Sequence, residues 1–279
     1  MGDILIPVVT LGAMGAIFAT ILGFASSYFA VPVDETQEKV REALPGANCG
    51  ACGYPGCDGF AKAVAEGKAP ITGCLVGGQK VADDIASVLG QDSVEAERMV
   101  ATVMCQGSLD HTSEVFDYKG INDCRTIASL GSCKSCEHGC IGCGTCVTQC
   151  EYGAIKIENG VAIVDKEKCV ACKKCINICP KNIIQLLPYE QEVVVKCSNP
   201  EFGKKVKDSC STGCIGCGIC VRLAPNEFEM DGKLAKVKYG DDFNIENAVK
   251  ASEKCPGKCI YIDEDLKAQI LAKEETVEA

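Results

Sequence analysis

The cysteines between residues 140 and 180 form two runs that share one spacing, C-x2-C-x2-C-x3-C. Three closely spaced thiolates reach three corners of an iron–sulfur cube, while the fourth cysteine of each run ligates the other cube. The spacing therefore predicts two [4Fe–4S] sites with interchanged fourth ligands. Site 2 is formed by Cys140, Cys143, Cys146 and Cys179, and site 3 by Cys150, Cys169, Cys172 and Cys175.

Structural zinc is the main alternative for these cysteines. Zinc is usually held by separated C-x2-C or Cys/His pairs that complete one tetrahedron. Two four-cysteine runs with interchanged fourth ligands do not fit that arrangement. The stretch instead resembles a bacterial two-cluster ferredoxin, with Pro180 after its last cysteine and with Glu151 where a second proline usually stands.

A third group of cysteines precedes these runs, with the spacing C-x2-C-x4-C-x16-C. Glycines flank its thiols and let the backbone approach a cluster, so that amides can donate hydrogen bonds to the sulfurs. This group predicts site 1, a [4Fe–4S] site formed by Cys49, Cys52, Cys57 and Cys74.

An internal repeat predicts a fourth site. Residues 135–147 match residues 209–221, and Val103-Met-Cys105 parallels Val195-Lys-Cys197, which indicates a duplicated ferredoxin unit. The second copy has Ala224 where its fourth cysteine should stand, and a distant Cys-Pro pair supplies the missing ligand. Site 4 is therefore predicted at Cys214, Cys217, Cys220 and Cys255.

Seven cysteines remain, and four of them precede the first ferredoxin run. Some of the seven are expected to be buried free thiols, since cysteine packs as a small hydrophobe. We nevertheless expect a fifth [4Fe–4S] cluster on Cys105, Cys124 and Cys136, with Cys210, Cys133 or Cys197 as its fourth ligand. The two histidines, His111 and His138, are expected to be hydrogen-bonded or surface residues and not ligands.

The elements that position these cysteines are short. Helices are predicted over 34–43 with Asp34 as the cap, over 58–66 and over 79–89, and a strand over 97–103. Alternating residues around Asn159-Gly160 and Asp231-Gly232 predict two β-hairpins. Residues 262–279 form a charged tail that is predicted to be helical. The fold class is α+β.

The N-terminus carries a membrane-length segment. Residues 4–33 contain no charged side chain, and about 20 apolar residues cross a bilayer. A cleaved signal peptide would need a basic start, and a buried core helix of this length does not suit small cluster modules. Basic residues follow the segment, at Lys39 and Arg41, so we expect a retained single-pass anchor in the inner cell membrane with the rest of the chain in the cytoplasm.

Composition and the motifs that the sequence lacks exclude some classes of function. The chain has 279 residues, 23 cysteines and a formal net charge of −10. An acidic balance argues against nucleic acid as a partner. Labile clusters and free thiols favour a reducing compartment. The chain shows no nucleophile motif, phosphate loop or G-x-G-x-x-G after a strand, so no independent catalytic site is expected.

The order of these segments resembles a known family. An uncharged N-terminal span is followed by NCGACGYPGC with a later cysteine and then by a two-cluster module, as in the iron–sulfur B-subunit family of the Rnf complex. The resemblance implies electron transfer within a ferredoxin:NAD+ oxidoreductase (a translocase) that couples electron flow to Na+ or H+ movement. It implies soluble ferredoxin as electron donor, and flavin- and NADH-binding sister subunits as partners. The alternatives are an electron-carrying subunit of another membrane hydrogenase or reductase, and a non-redox metal-binding protein.

Domain boundaries follow from these motifs. We expect the anchor at 1–33, the small 4Fe–4S domain at 34–92, a connecting segment at 93–139, the two-cluster module at 140–189, the single-cluster module at 190–262 and the tail at 263–279. Between Asp165 and Asp208, nine lysines stand against six acidic residues. Such a basic stretch is a candidate surface for an acidic ferredoxin, with Lys173 and Lys174 as the residues to test, although a solvated face without a partner is the alternative.

Overall fold

The computed structural model describes residues 2–28, 34–240 and 242–277. Helix α1 (Gly2–Tyr28) contains the segment Val8–Ser26, which has a mean hydropathy of 2.1 and no buried residue. By length and composition this helix can cross a membrane. Residues 29–33 of the predicted anchor lie outside the described residues.

Three helices form the small domain that follows. They are α2 (Glu35–Ala43), α3 (Gly56–Ala65) and α4 (Gly78–Leu89), with a 3-10 turn at Ile71–Gly73. The Asp34 carboxylate accepts a hydrogen bond from the Thr36 amide and caps α2, as predicted. Val40, Phe60 and Ile85 pack together as the core and are at most 1% exposed. The predicted helices are confirmed to within two residues.

The two-cluster module contains four strands in two antiparallel pairs. Strand β2 (Ile155–Glu158) pairs with β3 (Val161–Val164). Asn159 and Gly160 form the turn with positive φ values of 45° and 75°, as the predicted hairpin requires. Strand β1 (Met99–Val103) pairs with β4 (Ile184–Pro188). The module therefore takes a strand from the segment predicted as a connector.

The single-cluster module repeats this plan. Strand β5 (Val194–Val195) pairs with β8 (Ile260–Tyr261), and β6 (Phe228–Asp231) pairs with β7 (Leu234–Val237). In both modules the first and last strands pair and enclose a hairpin, which agrees with the sequence repeat. The second turn is centred on Gly232-Lys233, because Asp231 pairs with Leu234. The predicted turn centre is wrong by one residue.

The remaining helices are connected by turns and irregular segments. They are α5 (Cys124–Ala128), α6 (Thr145–Thr148), α7 (Lys174–Ile178), α8 (Lys204–Ser209), α9 (Ile219–Leu223), α10 (Ile245–Glu253) and α11 (Glu264–Val277). The tail is therefore helical over its described residues, as predicted. Phe228, Ala248 and Val249 form part of the core of the single-cluster module.

Candidate iron–sulfur sites

Three of the short helices start in the same way, and each places a cysteine in its first turn. The residue before α6, α7 and α9 has a left-handed backbone, with φ of 79° at Gly144, 62° at Lys173 and 66° at Gly218. This reversal turns the chain sharply between the second and third cysteines of each run. The third cysteines are buried in consequence: Cys146, Cys175 and Cys220.

Site 1 is assembled by the loops between the helices of the small domain. All four predicted cysteines, Cys49, Cys52, Cys57 and Cys74, line a cavity with an empty volume of about 340 Å³. Asn48 stabilises the loop, because its side-chain oxygen accepts a 2.8 Å hydrogen bond from the Cys57 amide. Burial raises the pKa of the Cys74 thiol, and the neighbouring Cys57 adds to that shift.

Site 3 combines cysteines from both halves of the two-cluster module. Its cavity, of about 340 Å³, is lined by Cys150, Cys169, Cys172 and Cys175. The Ala101 amide donates to Cys169 Sγ and the Ala154 amide donates to Cys150 Sγ, each at 3.3 Å. Cys150 thus joins the second run, which is the interchange that the spacing predicts.

Site 2 has one unexpected neighbour. A cavity of about 410 Å³ is lined by three of its predicted cysteines together with a fourth from α5: Cys140, Cys146, Cys179 and Cys124. Cys143 does not line this cavity. Its thiol instead donates a hydrogen bond to Cys124 and lies close to Cys133, and burial raises the pKa of Cys143 to about 12. The structure therefore places Cys124 at site 2 and away from the predicted fifth cluster.

Site 4 brings Cys214, Cys217, Cys220 and Cys255 together. The pKa of Cys220 is raised to about 11, mainly by burial, and the three neighbouring cysteines add to that shift. Sequence reasoning assigned no role to Cys259, which is 1% exposed. Cys259 Sγ lies 3.7 Å from Cys255 Sγ. A hydrogen bond from the Cys259 thiol lowers the pKa of both Cys214 and Cys255 to about 6. The spacing of Cys-Pro-Gly-Lys-Cys gave no signal for this contact.

Burial opposes ionisation at several other thiols. It raises the pKa of Cys140 to about 11 and that of Cys146 and Cys175 to about 12. Without a counter-charge these cysteines stay protonated at neutral pH. Iron bound by the sulfurs supplies that counter-charge and displaces the protons, so cluster loading and folding are coupled.

The described residues fit clusters better than single ions. Among them, no group of three or more His, Cys, Asp or Glu is placed to hold one metal ion. At sites 1 and 3 the four predicted cysteines line one cavity, and at site 2 Cys124 lines the cavity with three of the predicted four. Backbone amides donate to two of the sulfurs at site 3. This donor set is the one that [4Fe–4S] clusters use.

The sites of the small domain and the two-cluster module lie next to each other. Lys173 Nζ donates a 2.7 Å hydrogen bond to the Ala51 carbonyl oxygen, which joins site 3 to site 1. Tyr152 lines site 3. Burial raises its pKa, and Cys172 of site 3 and Cys49 of site 1 both add to that shift, so Tyr152 is near both sites. The fold and these sites define a ferredoxin-type electron carrier with an apolar N-terminal helix.

Comparison with protein families agrees with this class. An Fe–S cluster model matches residues 44–76, a 4Fe-4S dicluster domain model matches residues 139–183, and the model of the 4Fe-4S single cluster domain of Ferredoxin I matches residues 211–262. Together with the 23 cysteines, these matches show that the chain is an electron-transfer protein with multiple [4Fe–4S] clusters.

Three relatives define the family, and each is the B subunit of a complex. The B subunit of the Na(+)-translocating ferredoxin:NAD(+) oxidoreductase complex of Acetobacterium woodii is 43% identical to this chain, over 94% of this chain and 79% of the relative. The B subunit of the ion-translocating oxidoreductase complex of Methanosarcina acetivorans is 38% identical, over 81% of this chain and 86% of the relative. The B subunit of the proton-translocating ferredoxin:NAD(+) oxidoreductase complex of Clostridium ljungdahlii is 33% identical, over 96% of this chain and 97% of the relative. The chain belongs to the B-subunit family of the ion-translocating (Rnf) oxidoreductase complexes.

Proposed function

We propose that this chain accepts electrons from reduced soluble ferredoxin and relays them toward the membrane and flavin- or NADH-binding subunits of its complex. The complex would be a ferredoxin:NAD+ oxidoreductase that drives Na+ or H+ across the membrane, as the names of the relatives say of those proteins. The observation that carries the proposal is the contact between Lys173 and Ala51, because it sets the small domain directly against the two-cluster module.

The ligand sets form part of this proposal. Sites 1 and 3 would use the four cysteines that line each cavity, and site 4 would use Cys214, Cys217, Cys220 and Cys255. Site 2 would use Cys140, Cys146, Cys179 and Cys143, whose thiol contacts Cys124 at the wall of the cavity. When bound, [4Fe–4S] clusters supply one-electron transfer at potentials that span roughly −700 to +450 mV. The chain supplies their spacing, hydrogen bonds and surroundings.

In this proposal Lys173 has a structural role, and docking of an acidic ferredoxin to the basic stretch stays a prediction. The Lys173 side chain is directed at the Ala51 carbonyl. Several other lysines of the basic stretch also have partners within the chain: Lys181 donates to the Gly131 carbonyl, and Lys168 pairs with Asp165 at 3.1 Å. Lys174 is paired with Glu151. We therefore regard Lys173 as a residue that positions site 1 against site 3.

Membrane topology completes the proposal. Helix α1 would anchor the chain as a single pass, and the cysteine-rich modules would lie on the cytoplasmic side. Two observations support this orientation. The described part of the apolar segment has no charged residue within Val8–Ser26, and basic residues follow it at Lys39 and Arg41. The cytoplasmic side is also where reduced thiols and clusters persist.

Lys173→Met in the purified complex tests the relay. Loss of the hydrogen bond to Ala51 costs about 1.5 to 3 kcal/mol at this contact and loosens site 1 from site 3. We expect ferredoxin-driven reduction to become biphasic, with part of the clusters reduced more slowly, in stopped-flow visible absorption. Lys174→Met is the matched control, because its partner Glu151 is an exposed surface residue and surface ion pairs contribute little.

Two results would contradict the proposal. If reduced ferredoxin does not reduce the clusters of the wild-type complex while dithionite does, ferredoxin is not the donor. If Lys173→Met and Lys174→Met both leave the reduction kinetics unchanged, the Lys173 contact does not position site 1 for the relay.

A further inference from the structure

A cavity that belongs to none of the four sites lies at the junction of the two ferredoxin modules. It has an empty volume of about 390 Å³, within the range of the cavities at sites 1 to 3. Four cysteines outside the four predicted sites line it: Cys105, Cys136, Cys197 and Cys210. We call it the junction cavity. Cys140 of site 2 also borders it.

Three of the four sulfurs lie around the same two glycines of the cavity. A carbon built on Gly107 would lie 3.5 Å from both Cys105 Sγ and Cys210 Sγ. A carbon built on Gly139 would lie 3.4 Å from Cys105 Sγ and 3.5 Å from Cys136 Sγ. Both glycines border the cavity. Cys105 Sγ is near both of them, so the sulfurs of Cys105, Cys136 and Cys210 lie around the same part of the cavity.

The cavity has the internal symmetry of the sequence repeat. The Cys140 amide donates to Cys105 Sγ at 3.3 Å, and the equivalent Cys214 amide donates to the equivalent Cys197 Sγ at 3.3 Å. Cys136 and Cys210 are likewise equivalent positions of the repeat. Each module therefore contributes two cysteines in matching places. Four free thiols would not require such a repeated arrangement of sulfurs and amide donors.

Further polar groups point at the same sulfurs. Asn199, which is 3% exposed, directs its side-chain nitrogen to Cys136 Sγ at 3.7 Å, and Thr212 Oγ1 lies 3.5 Å from Cys210 Sγ. Donors of this kind stabilise thiolate ligands of iron–sulfur clusters. They add to the two backbone amides, so all four sulfurs have a hydrogen-bonding partner.

The charge around the cavity suits an anion. Lys134 is 3% exposed, and its ammonium group donates to the carbonyl oxygens of Gly107 and Gly160. Lys134 lines the cavity, and no Asp or Glu is among the described residues that line it. A buried ammonium group is costly without a counter-charge. A [4Fe–4S] cluster with four thiolates is a net dianion and supplies that counter-charge.

We infer that Cys105, Cys136, Cys197 and Cys210 hold a [4Fe–4S] cluster at the junction of the two modules. This ligand set replaces the predicted one, because Cys124 lies at site 2 and Cys197 takes its place. The cluster extends the proposed relay: Cys140 connects the junction cavity to site 2, and Cys214 connects it to site 4. Without it, no described cysteine cavity lies between these two sites.

Metal content of the full chain tests the inference. The chain is reconstituted anaerobically with ferrous iron, sulfide and a thiol reductant, and iron, sulfide and zinc are measured. Five clusters correspond to about twenty irons per chain and four to about sixteen. We expect about twenty in the wild type. The iron content of the Cys197→Ala variant should fall to about sixteen per chain, or the variant should show the EPR signal of a three-iron cluster.

Cys133→Ala is the matched control. Cys133 lies in the same connecting segment as Cys105 and Cys136 but does not line the junction cavity, so this variant should keep about twenty irons. A wild type that stays at about sixteen irons overturns the inference. So does a Cys197→Ala variant with an unchanged iron count and EPR spectrum, or one zinc per chain in place of four irons.

A second measurement covers a Cys197→Ala variant that fails to fold. Iodoacetamide is added to the wild-type chain before and after a chelator removes the iron, and the modified cysteines are identified by mass spectrometry. We expect Cys105, Cys136, Cys197 and Cys210 to be protected together until the iron leaves. Equal modification rates in both states would refute the cluster. A chain with about twenty irons that ferredoxin fails to reduce would contradict the proposed function and leave this inference standing.

Discussion

The close approach of Gly257 to Gly213 makes a sharp prediction for site 4. A carbon built on Gly257 would lie 2.0 Å from the Gly213 carbonyl oxygen. Gly257 follows Cys255 by two residues and Gly213 directly precedes Cys214, so this contact sets the distance between two proposed ligands. The Gly257 backbone does not have a left-handed φ. Steric contact alone therefore opposes an alanine at this position.

The magnitude of the effect follows from the contact. Ordinary contact begins at 3.4 Å, so Gly257→Ala requires the two backbone segments to separate by about 1.4 Å. Ligand distances in metal sites tolerate only about 0.2 Å. Overpacking against a rigid group costs about 3 kcal/mol, which is roughly a hundredfold change in an equilibrium constant. We expect site 4 of the variant to bind its cluster about a hundredfold more weakly.

Iron release to a chelator measures this change. In anaerobic Gly257→Ala protein, about four irons should leave well before the rest, whereas wild-type protein should show no such early phase. Gly240→Ala is the control, since Gly240 lies in the same module, has no described atom within 4 Å of a built Cβ and has no left-handed φ. Identical release from Gly257→Ala and wild type would show that the Gly213 contact does not set the geometry of site 4.

Four further predictions concern the other sites and the anchor. Cys143→Ser should lose about four irons while Cys124→Ser keeps them, because we assign the ligand role to Cys143; iron analysis of both variants decides. Asn48→Ala removes the acceptor for the Cys57 amide and should destabilise site 1 by about 1 to 3 kcal/mol, measured by chelator challenge. Phe60→Ala leaves a cavity in the core of the small domain and should lower the domain's free energy of unfolding by about 3 to 5 kcal/mol, measured by denaturant unfolding. A reporter enzyme fused to the C-terminus should be active in the cytoplasm.

Each of these predictions has a contrary result. Iron loss from Cys124→Ser with full iron in Cys143→Ser would transfer the ligand role to Cys124. Unchanged chelation of Asn48→Ala would show that the Cys57 amide does not need its acceptor. A Phe60→Ala domain as stable as wild type would mean that the three helices repack without a cavity. Reporter activity on the outer side of the membrane would overturn the topology.

Local spacing was enough to predict most ligand groups. Cysteines three positions apart reach one cluster through the turn that connects them, so Cys169, Cys172 and Cys175 could be assigned to one site without a structure. The hairpin at Asn159-Gly160 was predictable for the same reason, since its positive φ values are a local property. The helix cap at Asp34 depends on a hydrogen bond only two residues away.

Contacts between distant segments were not predictable in the same way. Cys124 and Cys143 are near each other because α5 lies against the start of α6, where the Cys124 amide donates to Thr145. Cys259 is only four residues from Cys255, but it reaches Cys214 because the β5–β8 pair returns the end of the module to its start. No short spacing contains the contact of Cys124 with Cys143 or that of Cys259 with Cys214, and the error in the ligand set predicted for the fifth cluster follows from this.

The sequence by itself determined the cofactor class, the closely spaced cysteine runs and the repeat, because each depends on residue types at short, regular intervals. Only the tertiary structure decided which of the remaining cysteines meet. Cys105 and Cys197 stand 92 positions apart in the numbering, and Cys136 and Cys210 also come from different modules. They line one cavity because the two copies of the repeat pack against each other, as the hydrogen bond from Ser135 to the Ser209 carbonyl shows. Packing between modules depends on the shapes of whole surfaces, and no local pattern of residues encodes it.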